Sequence, residues 1–305
     1  MNILITGGTG SLGTALCEMW HKDHKLTVIS RNDHRIAEMR SQYPEVVFYS
    51  LDLGNPNNYK LLLTLCGLND YCIHAAAQKV VGEGEYQPLA YLTTNIMGVL
   101  YTLQAWQESH QNCSQFLFVS SDKAVEPINF YGMTKGVGTG LARFEHFDGS
   151  VIRYGNVVTS KGSFIQAWKQ AKQRGLPIVV RVGRPSGEVP TRFFLTMKQA
   201  VGLIEEAMGI DRPGIYIPGN LMAFNLMDVA QATGCEIVTR SVQAGEKLHE
   251  VLIARGESWT RAGVNLGRVS MPHWPSTNEY YAPFQSNTAR RMRGAQVLEM
   301  AGWYE

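Results

Sequence analysis

Residues 3–13 read ILITGGTGSLG, an apolar run followed by glycines at positions 7, 10 and 13. The run predicts a buried β-strand, and the glycine spacing predicts a tight turn that opens a helix. Glycine there allows the backbone to approach a pyrophosphate closely and the helix to pack tightly on the sheet. The N–H groups at the start of that helix would bind dinucleotide phosphates. A purely structural turn is the less favoured alternative, because the strand–turn–helix context is the one that dinucleotide binding requires.

The first half of the chain repeats this alternation. Strands are predicted at Ile3–Thr6, Leu26–Ser30, Val46–Tyr49, Tyr71–His74, Gln115–Val119 and Val151–Tyr154, and helices at Leu12–His21, Asp33–Ser41, Leu89–Trp106 and Tyr131–Phe144. Because the strands are apolar throughout and helices separate them, they predict a parallel sheet covered on both faces. The predicted fold class is α/β: a Rossmann-type, doubly wound parallel sheet with a smaller C-terminal substrate-binding domain.

The pattern loosens after Tyr154. Phe193–Met208 has helical spacing and Gly214–Pro218 resembles a strand, and both are expected to rejoin the main sheet. We therefore assign residues 1–155 to an NADP-binding Rossmann domain. Residues 156–190 and 239–305, which show little regular period, are assigned to the substrate-binding domain.

Composition excludes several classes of function. The 305 residues carry a formal net charge of +2, which does not point to nucleic acid or a membrane surface. No charged leader is present, and no apolar stretch approaches the roughly 18 residues that span a bilayer. The five cysteines lack CxxC spacing and the histidines lack metal-ligand spacing, so neither a disulfide framework nor a metal site is expected. A cytoplasmic protein is the simplest expectation.

The second strand ends in Ser30-Arg31-Asn32. Enzymes that prefer NAD usually place an acidic residue there to bind the ribose 2′-hydroxyl. Ser30 carries no charge, and a charge-assisted bond from Arg31 to a 2′-phosphate would contribute about 1.5–3 kcal/mol. We therefore predict NADP as the cofactor; the alternative is that Arg31 is a solvated loop residue.

A second cluster of polar residues follows the fifth strand. Ser120, Ser121, Asp122 and Lys123 come directly after it, and Tyr131 and Lys135 are spaced to share one face of a helix. A charged lysine about 4 Å from a phenol contributes on the order of 4 kcal/mol at an effective dielectric of 20. Lys135 is thus expected to lower the pKa of Tyr131 enough to make it a general base.

These motifs together resemble the inverting UDP-N-acetylglucosamine 4,6-dehydratases, in the extended short-chain dehydrogenase/reductase superfamily. The matching stretches, up to about residue 253, are Thr6–Gly13, His74–Lys79, Ser120–Ala124 with Pro127–Asn129, Tyr131–Lys135, Arg153–Val157, Thr191–Phe193 and Gly245–Glu250. The Asp122-Lys123 pair is the most discriminating of them. Simple sugar 4-epimerases lack this acid–base pair, and the glucose 4,6-dehydratases carry Asp-Glu.

The resemblance implies a reaction on a UDP-sugar. Tyr131 would deprotonate the 4-hydroxyl as hydride leaves C4, while Ser121 hydrogen-bonds the C4 oxygen. Lys123 would remove the C5 proton and Asp122 would protonate the departing C6 hydroxyl, after which hydride returns to C6 and C5 is inverted. These roles require a neutral Lys123 and a protonated Asp122, although an ion pair between them would favour the opposite charges.

The implied site extends over many positions. Predicted cofactor contacts are Gly7, Thr9, Gly10, Ser11, Leu12, Gly13, Ser30, Arg31, Asn32, Asp52, Leu53, Ala75, Ala76, Ala77, Asn95, Ser120, Tyr131 and Lys135. Predicted substrate contacts are Lys79, Asn156, Arg192, Glu246 and Lys247. The family often has arginine and proline before Gly-Glu-Lys, whereas this chain has Val242-Gln243-Ala244, so the phosphate contacts are expected to differ.

Two alternatives stay open. A sugar 4-epimerase or 5-epimerase could carry the Asp122-Lys123 pair, and product mass would separate it from a dehydratase. A non-catalytic NADP-binding sensor or scaffold is disfavoured, because degenerate members of such folds typically lose the tyrosine or lysine. The resemblance also implies a homo-oligomer.

Overall fold

The computed structural model describes residues 1–111, 113, 115–160, 162–270 and 284–304. Its strands are β1 (Asn2–Thr6), β2 (Lys25–Ser30), β3 (Val47–Ser50), β4 (Tyr71–His74), β5 (Phe116–Val119), β6 (Ser150–Ile152), β7 (Asn156–Val157), β8 (Ile178–Val182), β9 (Thr191–Leu195), β10 (Ile215–Pro218), β11 (Met222–Asn225), β12 (Ile237–Ser241), β13 (Val251–Ile253), β14 (Ser258–Arg261), β15 (Leu266–Ser270) and β16 (Phe284–Gln285). The expected substrate-binding domain includes residues 161, 271–283 and 305, and the expected NADP-binding domain includes 112 and 114, all of which lie outside the described residues.

The α-helices are α1 (Ser11–Trp20), α2 (Asp33–Gln42), α3 (Tyr59–Gly67), α4 (Val81–Tyr86), α5 (Pro88–Leu92), α6 (Gly98–His110), α7 (Phe130–Arg143), α8 (Phe164–Gln173), α9 (Met197–Met208), α10 (Leu226–Ala232) and α11 (Gly294–Met300). Short 3₁₀ turns lie at Pro56–Asn58 and Asp122–Ala124. The helix predicted at Leu89–Trp106 is interrupted by a π-helical turn, Thr93–Met97, between α5 and α6. Such turns are common at functional sites.

The central sheet is the doubly wound parallel sheet that the sequence pattern predicts. Nine described strands have the order β14-β15-β10-β6-β5-β4-β1-β2-β3. All neighbours from β3 to β10 pair in parallel. Every position of β4 and β5 is buried, because the sheet is covered on both faces. The strand order reverses between β1 and β4, and the crevice at that point is the expected ligand site of such a fold.

The edge of the sheet beyond β10 differs from the prediction. Strands β14 and β15, from the region that we assigned to the substrate-binding domain, pair antiparallel with each other and with β10. Strand β14 is largely exposed, and β15 is mostly buried but includes Arg268, so neither shows the continuous apolar run of the parallel strands. Gly267 makes room for Trp259, since a Cβ there would lie 2.5 Å from the indole ring.

The predicted helix at Phe193–Met208 begins too early. Thr191–Leu195 is a fully buried strand, and α9 begins only at Met197. The side chains of Thr196 and Gln199 form a capping box at the start of α9. Burial of all five β9 positions therefore outweighs the helical spacing of the aromatic residues.

A second hydrophobic core supports the smaller part of the fold. Trp168 of α8, Ile178 of β8, Phe224 of β11 and Val297 of α11 are buried in it. Three small sheets accompany this core, with the orders β11-β9-β7, β12-β8 and β13-β16. The regions predicted to be irregular thus contain regular elements that are too short or too amphipathic to show a period.

Candidate active site

The turn after β1 has the geometry of a phosphate-binding loop. Gly7 has a φ of +69°, and a Cβ at this position would lie 2.7 Å from the backbone of Ala76. A Cβ on Gly13 would lie 2.2 Å from the Cα of Gly8, so only glycine lets α1 begin this close to the turn. Gly10, which has no side chain, is the N-cap of α1. The helix N-terminus therefore faces a ligand through backbone groups alone.

A cavity of about 630 Å³ lies along the carboxyl ends of the central strands. It is lined by every predicted cofactor residue except Asn95, and also by Val119, Thr94, Tyr154 and Gly155, which sequence reasoning missed. Its volume is typical of a site for a cofactor or a drug-sized ligand. Among the described residues, no group of His, Cys, Asp and Glu is arranged to hold a metal ion. Nor do these residues include a helix of the length and apolarity that a membrane span requires.

Asn95 contributes from behind the cavity wall. It is buried in the π-helical turn, where its Oδ1 accepts a hydrogen bond from the Gln78 N–H at 2.8 Å. Its Nδ2 donates to the Gln78 carbonyl at 3.0 Å and to Thr134 Oγ1 at 2.9 Å. Asn95 therefore fixes the loop after β4 against α7.

The end of β2 carries the groups expected to bind the ribose. Thr9 Oγ1 and Ser30 Oγ are 2.6 Å apart, and Arg31 Nη1 lies 4.0 Å from Asp52 Oδ2. The Arg31 and Asp52 side chains are each about two-fifths exposed, 43% and 42%. The Asn32 Oδ1 accepts a hydrogen bond from the Arg35 N–H and so caps α2.

Lys135 and Tyr131, whose coupling was predicted, are both buried beside the cavity. Lys135 Nζ donates to the Val119 carbonyl at 2.5 Å and lies 4.1 Å from the centre of the Phe118 ring. Burial lowers the pKa of Lys135 to about 7. Burial also raises the pKa of Tyr131 to about 12, against opposing effects from Lys123 and from a hydrogen bond with Ser121. Lys123 is thus a cation that favours the phenolate form of Tyr131.

The Asp122-Lys123 pair lies beside Tyr131 and is nearly sealed from solvent. Asp122 is fully buried, Lys123 Nζ lies 3.2 Å from Asp122 Oδ1, and it donates to Asn156 Oδ1 at 3.3 Å. Ser121 Oγ donates to the same Asp122 oxygen at 3.0 Å. Two adjacent polar atoms, Asp122 Oδ2 and Asn156 Nδ2, are buried with no protein partner among the described residues. Buried polar atoms of this kind require a ligand or water partner.

A residue outside the predicted site completes this cluster. Glu250 is 2% exposed, and its Oε1 lies 2.9 Å from Lys123 Nζ and 3.8 Å from Arg192 Nε. The only sequence signal was its place in the Gly245–Glu250 stretch, since a single glutamate 127 residues from Lys123 carries no local pattern.

The charge state of Lys123 differs from the one its predicted role requires. Burial favours the neutral amine, but the carboxylates of Asp122 and Glu250 outweigh it and raise the pKa of Lys123 above its ordinary value. For Asp122 the direction agrees with the expectation, because burial raises its pKa despite the opposing charge of Lys123. For Lys123 the direction is therefore opposite to the expected one, because the neighbouring carboxylates favour its ammonium form.

The predicted substrate residues fall into two groups. Lys79 and Asn156 line the cavity, whereas Arg192, Glu246 and Lys247 are not among its lining residues. Arg192 Nη2 pairs with Glu246 Oε1 at 3.1 Å, and Lys247 Nζ donates to the Val125 carbonyl at 2.5 Å. These contacts join the Gly245–Glu250 segment to the loop that carries Asp122.

Comparison with known proteins agrees with this architecture. Residues 3–267 match the family model described as polysaccharide biosynthesis protein. The chain belongs to this family. It is 30% identical over 275 residues to the inverting UDP-N-acetylglucosamine 4,6-dehydratase of Campylobacter jejuni, covering 84% of this chain and 78% of that protein.

A further relative and a solved structure are also similar to this chain. The UDP-glucose 4-epimerase of Rickettsia conorii is also 30% identical, over 281 residues, with 84% and 78% of the two chains covered. The X-ray structure of Pen from Bacillus thuringiensis superposes with a TM-score of 0.84 at 22% identity, covering 98% of this chain and 96% of the other. The family prediction is confirmed, and both a dehydratase and an epimerase stand at the same identity.

Proposed function

We propose that this family member is an NADP-dependent hydro-lyase that converts UDP-N-acetylglucosamine to a 4-keto-6-deoxy sugar with inversion at C5. The observation that carries the proposal is the buried Asp122-Lys123 pair at the wall of the cavity, beside Tyr131. An acid and a nitrogen base in contact are what elimination of water needs. Oxidation at C4 alone would need only the tyrosine.

The cavity fits a nicotinamide dinucleotide. Gly7 and Gly13 leave no space for a Cβ, and α1 begins on a glycine whose backbone faces the cavity. When bound, such a cofactor accepts a hydride from the sugar and later returns it. Arg31 and Ser30, which replace the acidic residue of NAD enzymes, favour the 2′-phosphate of NADP.

The catalytic roles follow from the contacts of each side chain. Tyr131 takes the proton of the 4-hydroxyl, helped by Lys123 and the Ser121 hydrogen bond, which both lower its pKa. Lys123 takes the C5 proton after passing its own ammonium proton to a neighbouring carboxylate. If Asp122 Oδ1, at 3.2 Å, receives that proton, one transfer yields both the neutral base and the neutral acid.

Proton balance assigns a second role to Ser121. Tyr131 gains the 4-hydroxyl proton, Lys123 gains the C5 proton, and Asp122 loses a proton to the departing hydroxyl. Because one proton also returns to C5 on the opposite face, the protons of the centre must be redistributed before the next turnover. Ser121 contacts both residues, donating to Asp122 Oδ1 at 3.0 Å and hydrogen-bonding Tyr131. Its hydroxyl can therefore pass the Tyr131 proton to Asp122, in addition to bonding the C4 oxygen.

The proposed substrate residues have two kinds of role, according to whether they line the cavity. Lys79 and Asn156 face the sugar from the cavity wall, and Arg192, Glu246 and Lys247 hold the segment that closes it. The competing proposal, a UDP-sugar epimerase, is favoured by the equally similar epimerase relative. Incubation with UDP-N-acetylglucosamine followed by mass spectrometry separates the two. A dehydratase gives a product lighter by one water, whereas a product of unchanged mass would overturn the dehydratase proposal.

We further propose that the protein is a homo-oligomer in the cytoplasm. Helix α7 exposes Met133 and Val137, four residues apart on one face, and Phe144 directly follows the helix; each of the three is about half exposed. A second copy of the same helix would bury these side chains symmetrically. Light scattering on Val137→Glu should show a smaller particle than wild type, and an unchanged mass would contradict this interface. The described cysteines are free thiols, as a reducing compartment allows.

A further inference from the structure

Lys123 has two carboxylate neighbours, and the closer one is Glu250. The Nζ–Oε1 distance to Glu250 is 2.9 Å, against 3.2 Å to Asp122 Oδ1. Both carboxyl groups are essentially inaccessible, with Asp122 at 0% and Glu250 at 2% exposure. One ammonium ion cannot neutralise two buried carboxylates, so one of them must be neutral or find another cation.

The second cation reaches only one of them. Arg192 Nε lies 3.8 Å from Glu250 Oε1, while its Nη2 pairs with Glu246. Among the described charged groups, Lys123, Arg192 and Lys247 all favour the charged form of Glu250. The charged form of Asp122 is favoured by Lys123 and Lys247 and opposed by Glu250, and Arg192 pairs with Glu250 alone of these two carboxyl groups. The surroundings thus distinguish the two carboxyl groups by charge, although their burial is alike.

Hydrogen bonds also fix the backbone of Glu250 and of the segment that carries it. Its N–H donates to Ser286 Oγ at 2.9 Å, and Ser286 Oγ in turn donates to the Thr191 carbonyl at 3.0 Å. On the other side of the segment, Asn129 Nδ2 donates to the Gly245 carbonyl at 2.7 Å. These contacts fix Glu250 beside Lys123 from two elements distant in sequence.

We propose that Glu250 is the counter-ion of Lys123, and that it thereby leaves Asp122 as the protonated acid of the centre. The inference rests on the proposed dehydratase chemistry, which needs a carboxylic acid next to a lysine. The proton on Asp122 is the one that Lys123 passes to it across 3.2 Å, so Lys123 is then a neutral amine. When this amine takes the C5 proton, the C5–H bond breaks, an N–H bond forms, and Glu250 neutralises the resulting ammonium ion. Asp122 is then free to break its O–H bond toward the departing C6 hydroxyl. Glu250 is a positioning residue, because it acts through Lys123 and Asp122.

The charges around Asp122 make the inference testable by infrared spectroscopy without substrate. The titratable groups around it are Lys123, Lys247, Glu250 and Tyr131. A buried protonated carboxyl gives a carboxylic-acid C=O band at a pH where exposed carboxylates are ionised. In wild type this band should be present and Asp122→Asn should remove it. Glu250→Gln should shift its titration to lower pH by on the order of one unit, because Asp122 becomes the only anion beside Lys123.

Two variants control for structural effects. Glu246→Gln removes a charge from the same Arg192 without contacting Lys123, and should leave the titration unchanged. Glu250→Asp keeps the charge, so its titration should lie closer to that of wild type than the titration of Glu250→Gln does. If Glu250→Gln does not fold, Arg192→Gln replaces it; that variant removes one cation from Glu250, so a second acid band should appear.

The proposal is overturned by any of four results. These are no acid band in wild type, an unchanged titration in Glu250→Gln, a band that persists in Asp122→Asn but disappears in Glu250→Gln, or no second band in Arg192→Gln. Because the band is read on the protein alone, failure of the sugar reaction would leave this result standing. The reverse also holds: product formation with no band shift would overturn the role of Glu250 and not the dehydratase proposal.

Discussion

The cofactor-facing and substrate-facing parts of the cavity are built by different means. At the turn after β1, the glycines that would bring backbone N–H groups to a ligand all lie within residues 7–13. Around Lys123, the site depends on charged side chains from residues 122, 192 and 250, which pair with one another inside the protein. Local backbone geometry leaves a motif in the sequence, whereas a buried charge network leaves only scattered residues.

The largest effect is expected from a substitution in the buried charge network. Lys123→Ala should reduce water elimination by about 10²–10⁴-fold, the usual contribution of a general base. Cofactor binding should stay near wild type, because the glycine turn is untouched. Cofactor binding by fluorescence and product by mass spectrometry provide the two readouts. Product formed at the wild-type rate would remove Lys123 from the mechanism.

The next effect is expected from a substitution in the glycine turn. Gly13→Ala would place a Cβ 2.2 Å from the Cα of Gly8, and should lower the free energy of unfolding by about 1–3 kcal/mol and weaken cofactor binding. Gly202→Ala in α9 is the matched control, because nothing lies within 4 Å of its added Cβ. That variant should be stabilised by about 0.5–1 kcal/mol. Urea unfolding compares the two; equal effects would show that the turn tolerates a side chain.

The buried Lys135, which lines the cavity, should make the stability of the protein depend on pH. Its pKa falls from the ordinary 10.5 to about 7 in the folded protein, so between these values the folded chain binds fewer protons than the unfolded chain. Stability from this group therefore rises with pH across that window, by up to about 1.4 kcal/mol per unit, and is constant below it. The difference in unfolding free energy between wild type and Lys135→Met should follow this slope. A difference independent of pH would contradict it.

The smallest expected effect concerns the one charged contact predicted for the cofactor. Arg31 is partly exposed and lies 4.0 Å from Asp52, which offsets some of its attraction for a phosphate. Arg31→Ala should weaken NADP binding about tenfold and leave NAD binding unchanged. Titration with both cofactors measures the ratio. An unaltered NADP preference would assign the selectivity to other groups, such as the Thr9 and Ser30 hydroxyls.

Much of the fold could be predicted from the sequence because continuous apolar strands are the signature of a buried parallel sheet. The strands from β1 to β6 lie within three residues of their predicted ends. The prediction was wrong where burial and spacing conflict, as at Phe193, which lies in a strand although its spacing is helical. The hairpin β14–β15 was missed because both strands are short, β14 is largely exposed, and the sequence of β15 includes polar residues.

The site could be predicted in outline but not in its charges. Position along the strands placed Asp122, Lys123 and Tyr131 at one cavity, since the carboxyl ends of parallel strands share an edge. The charge of Lys123 could not be predicted, because it depends on Glu250, which the fold brings from 127 residues away. Lys135 was expected to lower the pKa of Tyr131. Its hydrogen bond to the Val119 carbonyl depends on how α7 packs on β5, which the sequence does not show.

The central claim is that the Asp122-Lys123 pair carries a C5 proton and expels the C6 hydroxyl. The most direct test is incubation of wild type with UDP-N-acetylglucosamine in deuterated water, with mass and NMR analysis of the product. The account predicts a product lacking one water, with deuterium at C5 and inverted configuration there. A product that keeps its water, or one whose C5 retains hydrogen and its original configuration, would contradict it.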